Sequence, residues 1–356
     1  MPLSALRSAF PVLERTAYLN AGTDGPVPRA AQEASAREIA DEVDEGRGFS
    51  HFDRRRELAD GLRAGYAELL GCPVEDLAIT TGTSEGLGKV LAGMDIGAGD
   101  EILTSTDEHP GLIGPLIAAR QRGAEIRAVP FAQLADAVRE STTLVACSHV
   151  NWRTGELAPA ELYDTGVPVI LDGAQGAGAV PVDVGKLGCA VYAAAGQKWL
   201  CGADGTGMLY VAPAFRERVR AIAPSYLTFA DASLGFESEL RDDAARYDTP
   251  ALARETLAFS LTSLDVLRGT DMAAVLAHGP ALAAELAERL ADHGRTVAPR
   301  GHTTLVAWED DDPEAARDRL REAGVVVRNL PGTPYVRASV GAWSSGDDLD
   351  RLLDAL

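Results

Sequence analysis

The chain has 356 residues, 24% of them charged and 46% apolar, with 36 glycines and 19 prolines. That length suggests about two domains, and the apolar share excludes wholesale disorder. The net charge of −20, from 33 Lys+Arg against 53 Asp+Glu, sets up a field that repels phosphate backbones and argues against general nucleic-acid binding.

No run of 18 apolar residues occurs, so no membrane-spanning helix is expected. Met1–Phe10 lacks a basic cluster followed by an apolar core, so no secretory leader is expected either. Cys72, Cys147, Cys189 and Cys201 show neither a C-x-x-C pair nor a metal-ligand spacing. That predicts reduced thiols, a cytoplasmic location and no metal site.

In chain order, apolar residues at helical spacing predict helices over Ala30–Glu45 and Arg54–Leu70. Strand and helix patterns then alternate. Leu77–Thr80 is predicted as a strand followed by a helix from Ser84, and Glu101–Ser105 as a strand followed by a helix over Leu112–Gln121. Thr143–Cys147 and Val167–Leu171 are short apolar runs of the buried-strand kind. Ala190–Ala194 and Gly207–Val211 follow, with little room for a helix between them. This alternation predicts a mostly parallel α/β sheet, and the close last pair predicts one antiparallel member. From about Ala251 the pattern changes. Helices are predicted over Ala251–Arg268 and Gly279–Ala291, then a strand over Thr303–Trp308 and a helix over Pro313–Ala323. Strands over Val325–Arg328 and Tyr335–Val340 and a helix over Asp347–Leu356 complete a smaller α+β unit. Ser345-Gly-Asp-Asp348 has the form of a capping box for that last helix.

Three short segments carry the chemistry. Thr80–Lys89 follows a strand and opens a helix, but a nucleotide P-loop needs Gly where Thr83 stands and Ser or Thr where Val90 stands. Gly176-Ala-Gly178 lacks the third glycine of a dinucleotide fingerprint, Pro181 standing there. The turn at Gly82, Thr83 and Ser84 still forms an anion cup, with free N–H groups and two hydroxyls at the positive end of a helix dipole. Ordinary N-capping by Thr83 or Ser84 is the alternative. Asp172, in Val169-Ile-Leu-Asp172-Gly-Ala-Gln175, lies at the C-terminal end of a buried strand, the edge where open α/β sheets bind ligands. Lys198 lies at the exit of another strand and is one of only three lysines, with Lys89 and Lys186. An amine for a Schiff base, an acid for a pyridine nitrogen and a helix N-terminus for a phosphate are the three needs of pyridoxal 5'-phosphate (PLP).

With these pieces the chain resembles the class V aminotransferases, in the fold-type I PLP superfamily that includes cysteine desulfurases, kynureninases and isopenicillin N epimerase-like proteins. The similarity runs from Tyr18-Leu-Asn-Ala-Gly-Thr to Leu349. It is most specific at Asp172-Gly-Ala-Gln175, Gly196-Gln-Lys198-Trp and Gly205-Thr-Gly-Met-Leu-Tyr210. Thr81-Gly-Thr-Ser-Glu-Gly86, Glu108-His109-Pro110 and Arg337-Ala-Ser339 match as well. The resemblance implies a large PLP-binding α/β domain over residues 20–248, and a small α+β domain from residues 1–19 and 249–356 with a long connecting helix. It implies that Lys198 carries the cofactor and shuttles the proton. Asp172 would pair with the pyridine nitrogen, Gln175 hydrogen-bond the ring hydroxyl and His109 stack on the ring. Gly82, Thr83 and Ser84 would bind phosphate, with Gln197 beside Lys198 in the cofactor site. Thr249 resembles the threonine that reaches the phosphate from the partner subunit of a homodimer. Arg337 would take the substrate α-carboxylate through a planar guanidinium.

Three positions depart from the family's pattern. Ala195 stands where a phosphate-binding Ser is usual, Gln197 where His is frequent, and Trp152 where an amide often sits near the ring. Asn151 or Arg153 is expected to reach the pocket instead. Val327–Arg337 contains no cysteine, and desulfurases carry a mobile thiol there. Cys201, close to Lys198, reads as a small buried filler. The expected function is that of a PLP enzyme acting on a small α-amino acid through an external aldimine and a Cα carbanion. Aminotransferase or C–S lyase chemistry is favoured. Desulfurase-like or epimerase chemistry, or a PLP-binding protein without turnover, are the alternatives.

Overall fold

A computed structural model describes residues 2–356. The chain opens with a short helix α1 (Leu3–Leu6), strand β1 (Ala17–Tyr18) and helices α2 (Arg29–Glu45) and α3 (Phe49–Leu70). Leu58, Leu62, Tyr66 and Leu70 form a buried i, i+4 stripe on α3. Gly71 ends that helix in the left-handed region, its N–H returning to the last-turn carbonyls of Ala67 and Glu68. Next come β2 (Leu77–Thr80), α4 (Thr83–Gly93), β3 (Glu101–Ser105), α5 (Pro110–Gln121), β4 (Glu125–Val129), β5 (Thr142–Ser148) and β6 (Val169–Asp172). After α6 (Val184–Leu187) come β7 (Val191–Ala195), β8 (Gly207–Val211) and α7 (Pro213–Arg216).

The strands build a seven-stranded sheet in the order β2-β8-β7-β6-β5-β3-β4. β8 runs antiparallel to both neighbours and the other pairs are parallel, as the spacing predicted. Every residue of β6, β7 and β8 is buried, which is why these runs are apolar without alternation. β4 was not anticipated. It is one of the two edge strands, half exposed and carrying Glu125 and Arg127, so it lacks the apolar run that marks its neighbours. The C-terminal ends of β3, β5, β6 and β7 bring Ser105, Ser148, Asp172 and Ala195 to one edge.

The remainder comprises α8 (Arg254–Arg268), α9 (Met272–Asp292), β9 (Leu305–Glu309), α10 (Pro313–Glu322), β10 (Val325–Val326), β11 (Arg328–Asn329), β12 (Tyr335–Ser339) and α11 (Gly346–Asp354). α9 starts well before the expected Gly279. Asp271 caps it, accepting from Ala273 N. It continues through Pro280 because Leu282, Ala283, Leu286 and Leu290 pack with Val306, Trp308 and Val336 in one core cluster. The expected single strand Val325–Arg328 is divided between two sheets. β10 pairs parallel with β1, and β11 joins the antiparallel sheet β11-β12-β9. The capping box of Ser345 and Asp348 is present.

Ser339 N donates to Leu19 O at 2.8 Å, and Gly25 N donates to Gln197 O at 2.8 Å. The loop from Asn20 to Gly25 therefore ties the small sheet to the exit of β7 and crosses the edge of the large sheet. Among the described residues no helix is long and apolar enough to cross a membrane.

Candidate active site

Asp172 closes β6 and is buried. Its carboxylate accepts from Ala174 N at 3.0 Å. Burial pushes its pKa up, and the opposing charge of Lys198 and the Ala174 N–H hold it back. The turn that follows packs on Tyr192 of β7. A Cβ on Gly173 would lie 2.1 Å from the Tyr192 ring, so only glycine fits there. Lys198, three residues beyond the end of β7, is half-buried. Burial pushes its amine down to about 8, with Arg337 and Arg328 acting in the same direction and Asp172 and Asp24 against it.

His109 is the N-cap of α5, its Nδ1 accepting from Gly111 N at 3.1 Å. Burial, then the charges of Lys198, Arg328 and Arg337, push it down to about 4. The ring is therefore neutral at physiological pH and suited to lie against an aromatic face. The Trp152 indole meets it edge-on, centroids 5.2 Å apart at 87°. Trp152 Nε1 donates to Asp107 O at 2.7 Å, and its carbonyl accepts from Arg337 Nη1. Trp152 thus braces both His109 and Arg337.

Arg337 is 1% exposed. Its Nε and Nη2 have no hydrogen-bond partner, and no carboxylate pairs with it. Burial and then Arg328 push it down to about 9. A buried guanidinium without a counter-ion is an anion site. Arg328, not singled out in the sequence, lies directly across the β11–β12 ladder from Arg337. It donates to Thr23 Oγ1 at 3.1 Å. Strand periodicity alone could not find it, because the pairing comes from antiparallel register.

At the helix terminus, α4 begins at Thr83 with Gly82 as N-cap and no side-chain cap, so neither hydroxyl serves as an ordinary cap. The Thr83 hydroxyl is buried and unpaired, while Ser84 is exposed. Gln175 is buried, with Nε2 donating to Gly22 O at 2.7 Å and Oε1 accepting from Trp199 Nε1 at 3.1 Å. It anchors the crossing loop, and one amide hydrogen remains for a ring hydroxyl. Gln197 Oε1 is buried and unpaired. Of the two residues expected to compensate for Trp152, Asn151 is buried. Its Oδ1 accepts from Arg153 N at 2.9 Å and its Nδ2 is buried and unpaired. Arg153 Nη1 donates to the Asp107 carboxylate at 3.0 Å, and its Nε is likewise buried and unpaired. The Thr249 hydroxyl donates to the Glu85 carboxylate at 2.6 Å and accepts from Lys89 Nζ at 2.8 Å. Within the single chain it does not serve the cup at Thr83. Cys201 is buried and burial pushes its thiol well up, so it is no thiolate nucleophile.

The aminotransferase class-V family model matches residues 20–352, and the chain belongs to that family. Isopenicillin N epimerase of Streptomyces clavuligerus is 28% identical, over 95% of this chain and 93% of that protein. Two solved structures of C-DES are similar at 25% identity. One is a mutant with glycine covalently linked to the PLP cofactor, with a TM-score of 0.92 and 98% of both chains covered. The other is a complex between the cystine C-S lyase and its reaction product cysteine persulfide, with a TM-score of 0.90, covering 97% of this chain and 98% of that one. The chain is thus a PLP-dependent enzyme with the fold-type I α/β architecture. Its residues fit the cofactor: the unpaired Thr83 hydroxyl at a helix N-terminus suits a phosphate, Lys198 an aldehyde, Asp172 a ring nitrogen and neutral His109 a ring face.

Proposed function

We propose that the enzyme is a C–S lyase that eliminates sulfur from the β-carbon of an α-amino acid whose far end carries a second anionic group. The observation that carries this reading is the pair of facing guanidiniums, Arg337 and Arg328, neither in an ion pair. Arg337 takes the α-carboxylate and Arg328 the second anion, so a cystine-like substrate spans both. The C-DES structures support the class.

PLP, when bound at Lys198 and Asp172, supplies an electron-withdrawing ring for the electrons released at Cα. The protein's groups do the rest. Arg337 and Asn151 orient the substrate, and the Lys198 amine takes the proton from Cα. The Cα–H and Cβ–S bonds break, the sulfur leaves with its electron pair, and water converts the three-carbon remainder to pyruvate and ammonia. No oxidation state changes overall. Val327–Arg337 offers no thiol to capture the sulfur, and Cys201 is protonated, so a protein-bound persulfide does not form.

The same reading treats residues 20–248 as the cofactor unit and the enzyme as a cytoplasmic homodimer in which Thr249 reaches the partner's phosphate site. Incubation with cystine, cysteine and alanine, with products identified by mass spectrometry, tests it. Pyruvate from cystine with little from alanine is expected, and Arg328→Ala should raise KM for cystine more than for cysteine. Alanine as the product from cysteine, with a persulfide on Cys201, would replace the lyase reading with a desulfurase.

A further inference from the structure

Glu108 is a buried carboxyl that the reaction above does not use. Its Oε1 accepts from Ser105 Oγ at 2.6 Å, and its Oε2 accepts from Ser148 Oγ at 2.6 Å and from Ser148 N at 3.0 Å. Ser105 ends β3, and Ser148 ends β5, where it pairs with Asp172 in the ladder. One carboxyl therefore joins two strand exits, precedes His109, and lies within electrostatic reach of Asp172. The other titratable groups around it are few. The Cys147 thiol on β5 is held protonated by burial, His109 is neutral, and Lys198 faces Asp172 from the exit of β7.

We propose that Glu108 is a positioning residue whose charge, acting beside Asp172, sets how firmly the cofactor's ring nitrogen keeps its proton. A neutral Glu108 would leave Asp172 as the single anion beside the ring nitrogen. An ionised Glu108 adds a second negative charge in a poorly screened site, which raises the proton affinity of the basic groups nearby, the ring nitrogen included. Both forms are accessible near neutral pH. Burial, reinforced by the Asp172 charge, pushes Glu108 up to about 7, while its three hydrogen-bond donors favour the anion.

The inference rests on Asp172 facing the ring nitrogen, so the experiment tests both separately. The holoenzyme is loaded with PLP isotopically labelled at the ring nitrogen, and the NMR shift of that atom is followed through pH. Glu108→Gln should lower the pH at which the nitrogen loses its proton by about one unit. Ser148→Ala removes a donor from the anion, keeps Glu108 neutral to higher pH, and should shift the titration the same way by less. Wild type and Glu108→Gln titrating together would overturn the proposal, as would a Ser148→Ala shift in the opposite direction. If Glu108→Gln does not fold, an unshifted Ser148→Ala titration overturns it alone. Asp172→Asn should move the titration further than either. If it moves nothing, the placement of Asp172 fails and this inference with it, whereas a normal Asp172→Asn shift beside an unshifted Glu108→Gln removes only Glu108.

Discussion

A lysine amine attacks an aldehyde only as the free base, and the three lysines differ in how freely they can become one. Lys89 is fixed between Glu85 at 2.9 Å, the Tyr247 carbonyl at 2.9 Å and Thr249 at 2.8 Å. Lys186 pairs with Asp183 at 2.7 Å on the surface. Lys198 has no ion pair, and burial pushes it down to about 8. At pH 8 about half of it is neutral, against roughly one part in 300 for an ordinary lysine. The rate of PLP uptake by the apoprotein should therefore rise with pH to a midpoint near 8, followed by absorbance. Borohydride reduction and peptide mapping should label Lys198 alone, and Lys198→Ala should leave no reducible adduct. A label on Lys89, or a midpoint well above that of a depressed lysine, would contradict the assignment. Lys198 and Asp172 could be proposed from the sequence because each is an isolated charge at, or just beyond, the end of an apolar strand. The pairings of Arg328 and Glu108 could not be. Their partners, Arg337 and Ser148, meet them only through strand register and sheet order, which no local pattern encodes.

The elements show the same division. Buried strands announce themselves by unbroken apolar runs, so β5 to β8 were placed to within two residues. β4 was missed because it is partly exposed and carries Glu125 and Arg127, and the start of α9 because Pro280 reads as a breaker where tertiary packing overrides it. The loop from Asn20 to Gly25 has no periodicity at all, yet it packs against Arg337, Ser339 and Gln175. A Cβ on Gly22 would lie 2.8 Å from Arg337 Nη2, 2.7 Å from Ser339 Oγ and 3.1 Å from Gln175 Oε1. Gly22→Ala must therefore displace the Arg337 guanidinium, to which the proposed function gives the substrate α-carboxylate. Steady-state kinetics should show KM raised on the order of tenfold or more with a smaller change in kcat, since one bidentate contact is lost while the proton-transfer groups stay in place. Unchanged KM would mean that the α-carboxylate binds elsewhere. At the other end of the small unit, Ser345→Ala removes the capping box of α11 and should cost about 1 kcal/mol in denaturant unfolding. Asp348→Ala should cost more, because Asp348 also pairs with Arg7 at 2.6 Å and its loss strands that cation.

For the molecule as a whole, the distribution of apolar surface argues for a second copy. Phe236 is 108% exposed and Phe49 90%, and Val43, Phe52, Tyr226 and Leu234 are also open to solvent in the single chain. Phe49, Phe52, Tyr226 and Leu227 line one groove together with Leu252 and Thr249. A monomer rarely leaves so many large side chains uncovered, and the net charge of −20 does not hide them. An isologous dimer would bury these residues against their own copies and bring Thr249 close to a neighbouring phosphate cup. Light scattering should therefore give twice the mass of the chain, and Phe49→Asp with Phe236→Ser should shift the protein toward monomer. Because Ser84 is exposed and Ala195 offers no hydroxyl, the monomer should also hold PLP less tightly, measured as a rise in the PLP dissociation constant. A fully active wild-type monomer would remove the dimer, and a monomeric variant with unchanged PLP affinity would show that one chain completes the phosphate site alone.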